Sequence, residues 1–229
     1  MSIRASLHDR LLGHVEAAEA FAPAACLQSM LDVEVALAEA KSDLGLTPTS
    51  CLADIRAAAD ASLYDIDAIT REAVQAGNIA IPLIRHLRSR VATRSLEAAD
   101  HVHTGATSQD VIDTALVLRL RIGVGHVLRE LDAVASAAAE HASAHARTPM
   151  AGRTWLQHAS PTTFGLKAAG WLDAILRDRE AVVSALESAL VVQCGGASGT
   201  LAAFGTAGAS VAEGLARRLT LGSPDLPWH

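Results

Sequence analysis

Ile112, Leu116, Leu120, Val124, Val127, Leu131 and Val134 recur at spacings of three or four residues, and nothing that stops a helix follows until Thr148-Pro149. The spacing predicts one helix from about residue 108 into the 140s, roughly 55 Å long at 1.5 Å per residue. Such a helix exceeds the needs of an ordinary single domain. Its apolar positions lie near coiled-coil spacing, so it needs other long helices beside it, from this chain or from further copies. Gly123 and Gly125 weaken it locally and allow close helix approach. FGLKAAGWLDAILRDREAVVSALESALVV, from Phe164, repeats the pattern, and the two helices are expected to run antiparallel.

The flanking segments are also helical. LQSMLDVEVALAEAKSDLG carries helical spacing between Ala24 and Leu44, and Gly45 and Pro48 supply the stop. Shorter patterns cover 51–60, 65–76 and 83–98, with Gly77 and Pro82 bracketing a break. CGGASGT at 194–200 reads as a glycine-rich turn, and LAAFGTAGASVAEGLARRL as a further helical stretch. Aromatic residues are only 3%, while alanine and leucine abound, which favours helix over strand. The expected fold is all-α: an N-terminal helical domain, 1–108, followed by the long antiparallel helices of a central bundle, 109–229, incomplete at its C-terminal end.

A net charge of −6 with no Lys/Arg block argues against a nucleic-acid partner. No apolar run reaches the roughly 20 residues that span a bilayer, so no membrane is expected. The start, MSIRASLHDRLLGHVEAAEAF, lacks a secretory h-region. Cys26, Cys51 and Cys194 are odd in number and far apart, as reduced core thiols in a cytoplasm would be.

Polar chemistry concentrates in two places. In HTGATSQD (103–110), Thr107 or Ser108 can cap the long helix, with Asp110 at capping-box spacing from Thr107. The same helix start offers unpaired N–H groups, partial positive charge and two hydroxyls, which together suit a carboxylate. GRTWLQHASPTT (152–163) reads as a polar turn between the long helices, where Arg153, Thr154 and Gln157 could donate to an anion. An antiparallel pair puts these two segments at opposite bundle ends, so a complete site would need several chains. His101 and His103 resemble a metal pair, but no further ligand set has matching spacing, and no metal is expected. His141 and His145 share a helical face on an Ala/Ser-rich stretch and read as solvated. GGASG lacks the Gly-Lys-Ser/Thr of a phosphate loop, and no G-x-S-x-G elbow supports a serine hydrolase.

HTGATSQDVIDT (103–114), GRTWLQHASPTTFGLK (152–167) and GNIAIPL (77–83) together resemble the fumarase/aspartase superfamily, whose members make and break C–O or C–N bonds beside a carboxylate. Within it the chain looks most like the cycloisomerases of 3-carboxy-cis,cis-muconate, which belong to protocatechuate degradation in the β-ketoadipate pathway. Trp155 stands where the adenylosuccinate and argininosuccinate lyases usually carry histidine. Asn78-Ile79 stands where they tend to have His-Asp. An indole cannot shuttle protons, so the usual lyase acid/base scheme does not transfer.

The resemblance implies ring closure of a tricarboxylate by addition of its own carboxylate to a double bond, with no redox or metal cofactor. It implies a homotetramer whose active sites draw on three subunits. Carried over, Thr107 and Ser108 bind carboxylate, and Asn78 and His103 line the pocket. Thr154, Trp155 and Gln157 contact substrate from the second motif, with Arg153 binding or structural. His158 is the neighbouring titratable participant. The family's flexible loop, G-S-S-x-M-P, with the serine held to move the proton, has no counterpart here, and the chain reads as C-terminally truncated. Two alternatives stand: an adenylosuccinate-type β-elimination, and a non-catalytic helical oligomerisation remnant.

Overall fold

The structure, a computed structural model, describes residues 13–228. Its contacts divide into two units. Residues 13–123 and 189–228 form the first, and 124–188 the second.

The first unit holds α1 (Val15–Glu19), α2 (Pro23–Asp43), α3 (Leu52–Ala58), α4 (Ile66–Ala76), α5 (Ala80–Ala92), α6 (Leu96–Asp100), the start of α7 (Ser108–Ala144) and α9 (Gly208–Leu219). α2 is buried along much of its surface, through Leu27, Leu31, Val33, Leu37 and Ala40. Around it the core takes Ile55, Ile69, Leu83, Leu87, Val91, Val111, Val211 and Leu215. Full burial of such aliphatic side chains contributes about 1.5–3 kcal/mol each, so packing rather than propensity holds the shorter helices.

Local chemistry sets the breaks. Asp65 caps α4 by accepting from Ala68 N at 3.0 Å, and Gly77, at φ 80°, closes it in the left-handed region that favours glycine. Asn78 Oδ1 then accepts from Ile81 N at 3.1 Å, which starts α5. The helix expected over 83–98 divides into α5 and α6, because Ser95 Oγ accepts from Ala98 N at 3.1 Å and opens a new helix there. The stretch read as one helix over 201–219 likewise divides, into a 3-10 segment, Ala202–Ala207, and α9.

In the second unit, the rest of α7 is followed by β1 (Pro149–Thr154), β2 (Gln157–Thr163) and α8 (Phe164–Ala189). α8 returns antiparallel to α7: Gly165 lies at Ala142 and Ala146, and Arg179 pairs with Asp132 at 2.5 and 3.2 Å. The periodicity expected both long helices and their orientation. It did not expect a hairpin. Residues 152–163 are antiparallel strand rather than a plain turn, with Arg153 opposite His158 and Thr154 opposite Gln157. The segment lacks alternating apolar residues and the Asn-Gly turn that signals a two-residue hairpin. Trp155 and Leu156 instead occupy the turn at φ 47° and 63°, an unfavourable region for both. His141 and His145, read as solvated, stack on each other at 5.8 Å and meet the edge of Phe164.

Among the described residues, no helix is long and apolar enough to cross a membrane. Cys51 and Cys194 are buried, whereas Cys26 is partly exposed. Burial, with the charge of Asp110 adding to it, pushes the Cys194 thiol up to about 12, and burial also raises Cys51. At pH 8 a maleimide is expected to label Cys26 at least about 100-fold faster than the other two, which react through unfolding. Peptide mapping of the labelled protein checks this, and prompt labelling of Cys194 would contradict the packing described.

Candidate active site

The turn carrying HTGATSQD sits on α2. Glu34 and Lys41 lie seven residues apart, two helical turns, and therefore on one face. Both are buried. Lys41 Nζ donates to His101 O at 2.9 Å and Thr104 Oγ1 at 3.0 Å. His103 Nδ1 lies 2.6 Å from Glu34 Oε1. From α5, Arg88 donates twice to Val102 O, at 2.8 and 3.2 Å. Burial lowers Lys41 to about 8, with Arg88 contributing to the fall and Glu34 opposing it. The turn is thus clamped by two cations on its carbonyls and a carboxylate on its imidazole.

Its far end is held by Asp110, which the sequence marks only as half of a capping box. Asp110 is buried, and its carboxylate accepts from four N–H groups: Thr107 N at 2.9 Å, Gly195 N at 2.9 Å, Gly196 N at 3.0 Å and Gln193 Nε2 at 3.3 Å. Thr107 N donating to Asp110 is the reciprocal half of the expected box. The other three donors come from the glycine-rich segment 193–196. Thr114 reinforces the join, its hydroxyl donating to Gln193 O at 3.1 Å and accepting from Gln193 N at 3.0 Å. Gly195 and Gly196 are therefore not a phosphate loop but a backbone cradle for Asp110. No sequence signal connects residues 85 positions apart in this way.

Thr107 and Ser108 are left half-buried at the start of α7. Among the described residues neither hydroxyl has a hydrogen-bond partner, since Thr107 is engaged through its backbone. Two free hydroxyls at a helix N-terminus can donate to an anion without breaking an existing bond. Asn78 is half-buried, and its carboxamide oxygen is used locally at the start of α5.

Arg153, Thr154, Trp155, Gln157 and His158 are brought together on the second unit's hairpin and are all exposed. Trp155 shows 93% of its surface and Leu156 is fully exposed. A surface cleft of about 360 Å³ on the first unit, lined by Asp32, Glu39, Arg56 and Arg218, contains none of the motif residues. Its charged groups are already engaged, Glu39 pairing with Arg56 at 2.6 Å and Arg218 at 2.7 Å, and Asp32 accepting from Gln28 Nε2 at 2.8 Å.

Residues 13–228 match the family model described as lyase. The chain is 48% identical over 203 residues to 3-carboxy-cis,cis-muconate cycloisomerase of Pseudomonas aeruginosa, a match covering 89% of this chain and 44% of that protein. It is 40% identical over 218 residues to nitrosuccinate lyase of Streptomyces davaonensis, covering 92% of this chain and 46% of the relative. The crystal structure of 3-carboxy-cis,cis-muconate lactonizing enzyme from Pseudomonas putida superposes with a TM-score of 0.95 at 45% identity, over 97% of this chain and 51% of that one. The chain spans about half the length of the curated relatives it matches. On the family model, these identities and this fold, the chain belongs to the lyase family, within the fumarase/aspartase superfamily.

Proposed function

We propose that this chain serves the cycloisomerisation of 3-carboxy-cis,cis-muconate to a carboxymuconolactone, as part of an assembly of several copies. The observation that carries the reading is the free hydroxyl pair of Thr107 and Ser108 at the start of α7, held in place by Asp110. In the reaction a carboxylate oxygen forms a bond to one carbon of a conjugated double bond. The displaced π electrons move toward the carboxylate at the far end of the conjugation, and a proton is added to carbon. All atoms of the substrate are retained.

The substrate is a trianion near neutral pH, and the chain carries a net charge of −6, so positive potential must be local. The α7 N-terminus supplies it through oriented N–H groups. The hairpin supports a shared site. Arg153, Thr154, Trp155, Gln157 and His158 project from exposed positions, and bulky Trp155 and Leu156 occupy its turn at unfavourable φ. Strain of this kind collects at functional sites, and a large apolar tip is suited to burial against another copy. Exposed Val127, Val134, Leu166, Trp171 and Leu176 on the long helices support assembly as well. We propose a homotetramer acting in the cytoplasm, in which Thr107, Ser108, His103 and Asn78 of one copy meet the hairpin residues of others, His158 among them.

Removing either hydroxyl costs a hydrogen bond to a charged group, about 1.5–3 kcal/mol, so Thr107→Ala and Ser108→Ala should each weaken carboxymuconate binding roughly 10- to 100-fold. Calorimetric titration with carboxymuconate, beside light scattering for the mass of the assembly, checks both parts. Unchanged affinity in both variants would remove these residues from the site. The relative named nitrosuccinate lyase makes β-elimination from a substituted succinate the second reading. Trp155→His separates the two: lactone formation should fall, whereas an elimination that uses imidazole for proton transfer should gain.

A further inference from the structure

Glu34 lies in α2, 69 residues before His103, and is 2% exposed. One of its carboxylate oxygens lies 2.6 Å from His103 Nδ1, and the other has no hydrogen-bond partner. A buried carboxylate is expensive unless its hydrogen bonds are made, so core packing alone does not account for an acid here. His103 is itself held unusually, at φ 57°, in the left-handed region. Its neighbours on both sides are fixed, Val102 O by Arg88 and Thr104 Oγ1 by Lys41. These bonds hold the backbone on both sides of the residue whose imidazole lies on Glu34. The ring's other nitrogen, Nε2, has no partner among the described residues, and the side chain keeps 15% of its surface exposed.

We infer that Glu34 is a positioning residue for His103: its carboxylate accepts from Nδ1–H, which fixes the ring and leaves Nε2 as the nitrogen that meets the substrate carboxylate or the carbon that is protonated. The inference rests on the cycloisomerase reading for what Nε2 meets, but not for the state of the ring. A ring free in water prefers its proton on Nε2. The acceptor on Nδ1 reverses that preference, because which nitrogen carries the proton follows from the hydrogen bond made by the other. Nε2 then carries the lone pair in the neutral ring, and the transferable proton in the charged one. Lys41, which donates to this turn, provides the positive charge that keeps a carboxylate tolerable at this depth.

The test has one arm that needs no substrate. Long-range proton–nitrogen correlation spectra of the 15N-labelled chain, with His103→Gln identifying the resonances, should show His103 protonated at Nδ1. In Glu34→Ala the proton should move to Nε2, and in Glu34→Gln, whose amide oxygen can still accept, it should remain on Nδ1. Wild-type His103 carrying its proton on Nε2 alone, or a pattern unmoved by Glu34→Ala, would overturn the inference. Where Glu34→Ala does not fold, the wild-type and Glu34→Gln spectra decide.

The second arm titrates carboxymuconate. His103→Gln and Glu34→Ala should each weaken binding about 10-fold, and the double variant no more than either, because residues acting through one contact are not additive. Glu34→Gln should stay within about 3-fold of wild type. Additive losses would overturn the positioning role. An Nδ1–H ring in a wild type that does not bind carboxymuconate leaves the positioning role supported and the cycloisomerase reading refuted.

Discussion

Asp110→Ala should destabilise the chain by about 3–5 kcal/mol, the largest effect expected of any side chain outside the hydrophobic core. The replacement leaves Gly195 N, Gly196 N, Gln193 Nε2 and Thr107 N without their acceptor. A buried donor left unsatisfied costs about 1–3 kcal/mol; entering water relieves part of the sum, which brings four donors into the stated range. No Lys or Arg pairs with Asp110 among the described residues, so oriented amides and the start of α7 hold its charge. Asp110→Asn should recover little. One carboxylate oxygen serves Thr107 N and Gly196 N, the other Gly195 N and Gln193 Nε2, so either orientation of the amide turns an NH2 group against two donors. Urea unfolding gives the loss, and amide exchange at Gly195 and Gly196 should lose protection in both variants. A near-neutral Asp110→Asn would show that a single oxygen suffices and that the charge has no part in the join.

On the proposed function the effect should reach binding, because Asp110 connects the capping role of the motif with the binding role proposed for it. It fixes the Thr107 backbone while leaving the Thr107 and Ser108 hydroxyls free. The sequence made half of this legible. Asp110 three residues after Thr107 at a helix start is a local pattern, and local patterns can be read directly. The same holds for the extent of α2, α7 and α8, which apolar spacing marks, but not for the covered side of α7, where Val111, Ala115 and Leu118 are buried while Leu116, Val127 and Val134 of the repeat are exposed. What could not be read depends on residues distant in the chain. The glycines that cradle Asp110 follow 85 positions later, and Glu34 precedes His103 by 69. Neither pairing has a periodicity. The hairpin escapes sequence reading for another reason: Trp155 and Leu156 take positive φ in its exposed turn, against the turn chemistry by which hairpins are recognised.

The second large effect is expected at Gly105, where two constraints can be separated. Its φ of 87° lies in the left-handed region, and a Cβ there would sit 2.4 Å from Cε1 and 2.7 Å from Cζ of Phe204. Alanine in that backbone conformation costs about 1–2 kcal/mol, and overpacking a buried ring about 1–3 kcal/mol more. Phe204 cannot swing aside freely, since it is 7% exposed within the core. Gly105→Ala should therefore destabilise by about 2–5 kcal/mol and loosen the turn between His103 and Thr107, which on the proposed function weakens carboxymuconate binding as well. Phe204→Ala alone should cost about 3–5 kcal/mol through the cavity it leaves. In the double variant the new methyl group enters that cavity, so the clash disappears and only the backbone penalty adds to the loss caused by Phe204→Ala. Its loss of stability should fall short of the sum of the single losses by about 1–3 kcal/mol. Strict additivity would mean that the ring yields without cost and that glycine is required at 105 for its backbone conformation alone.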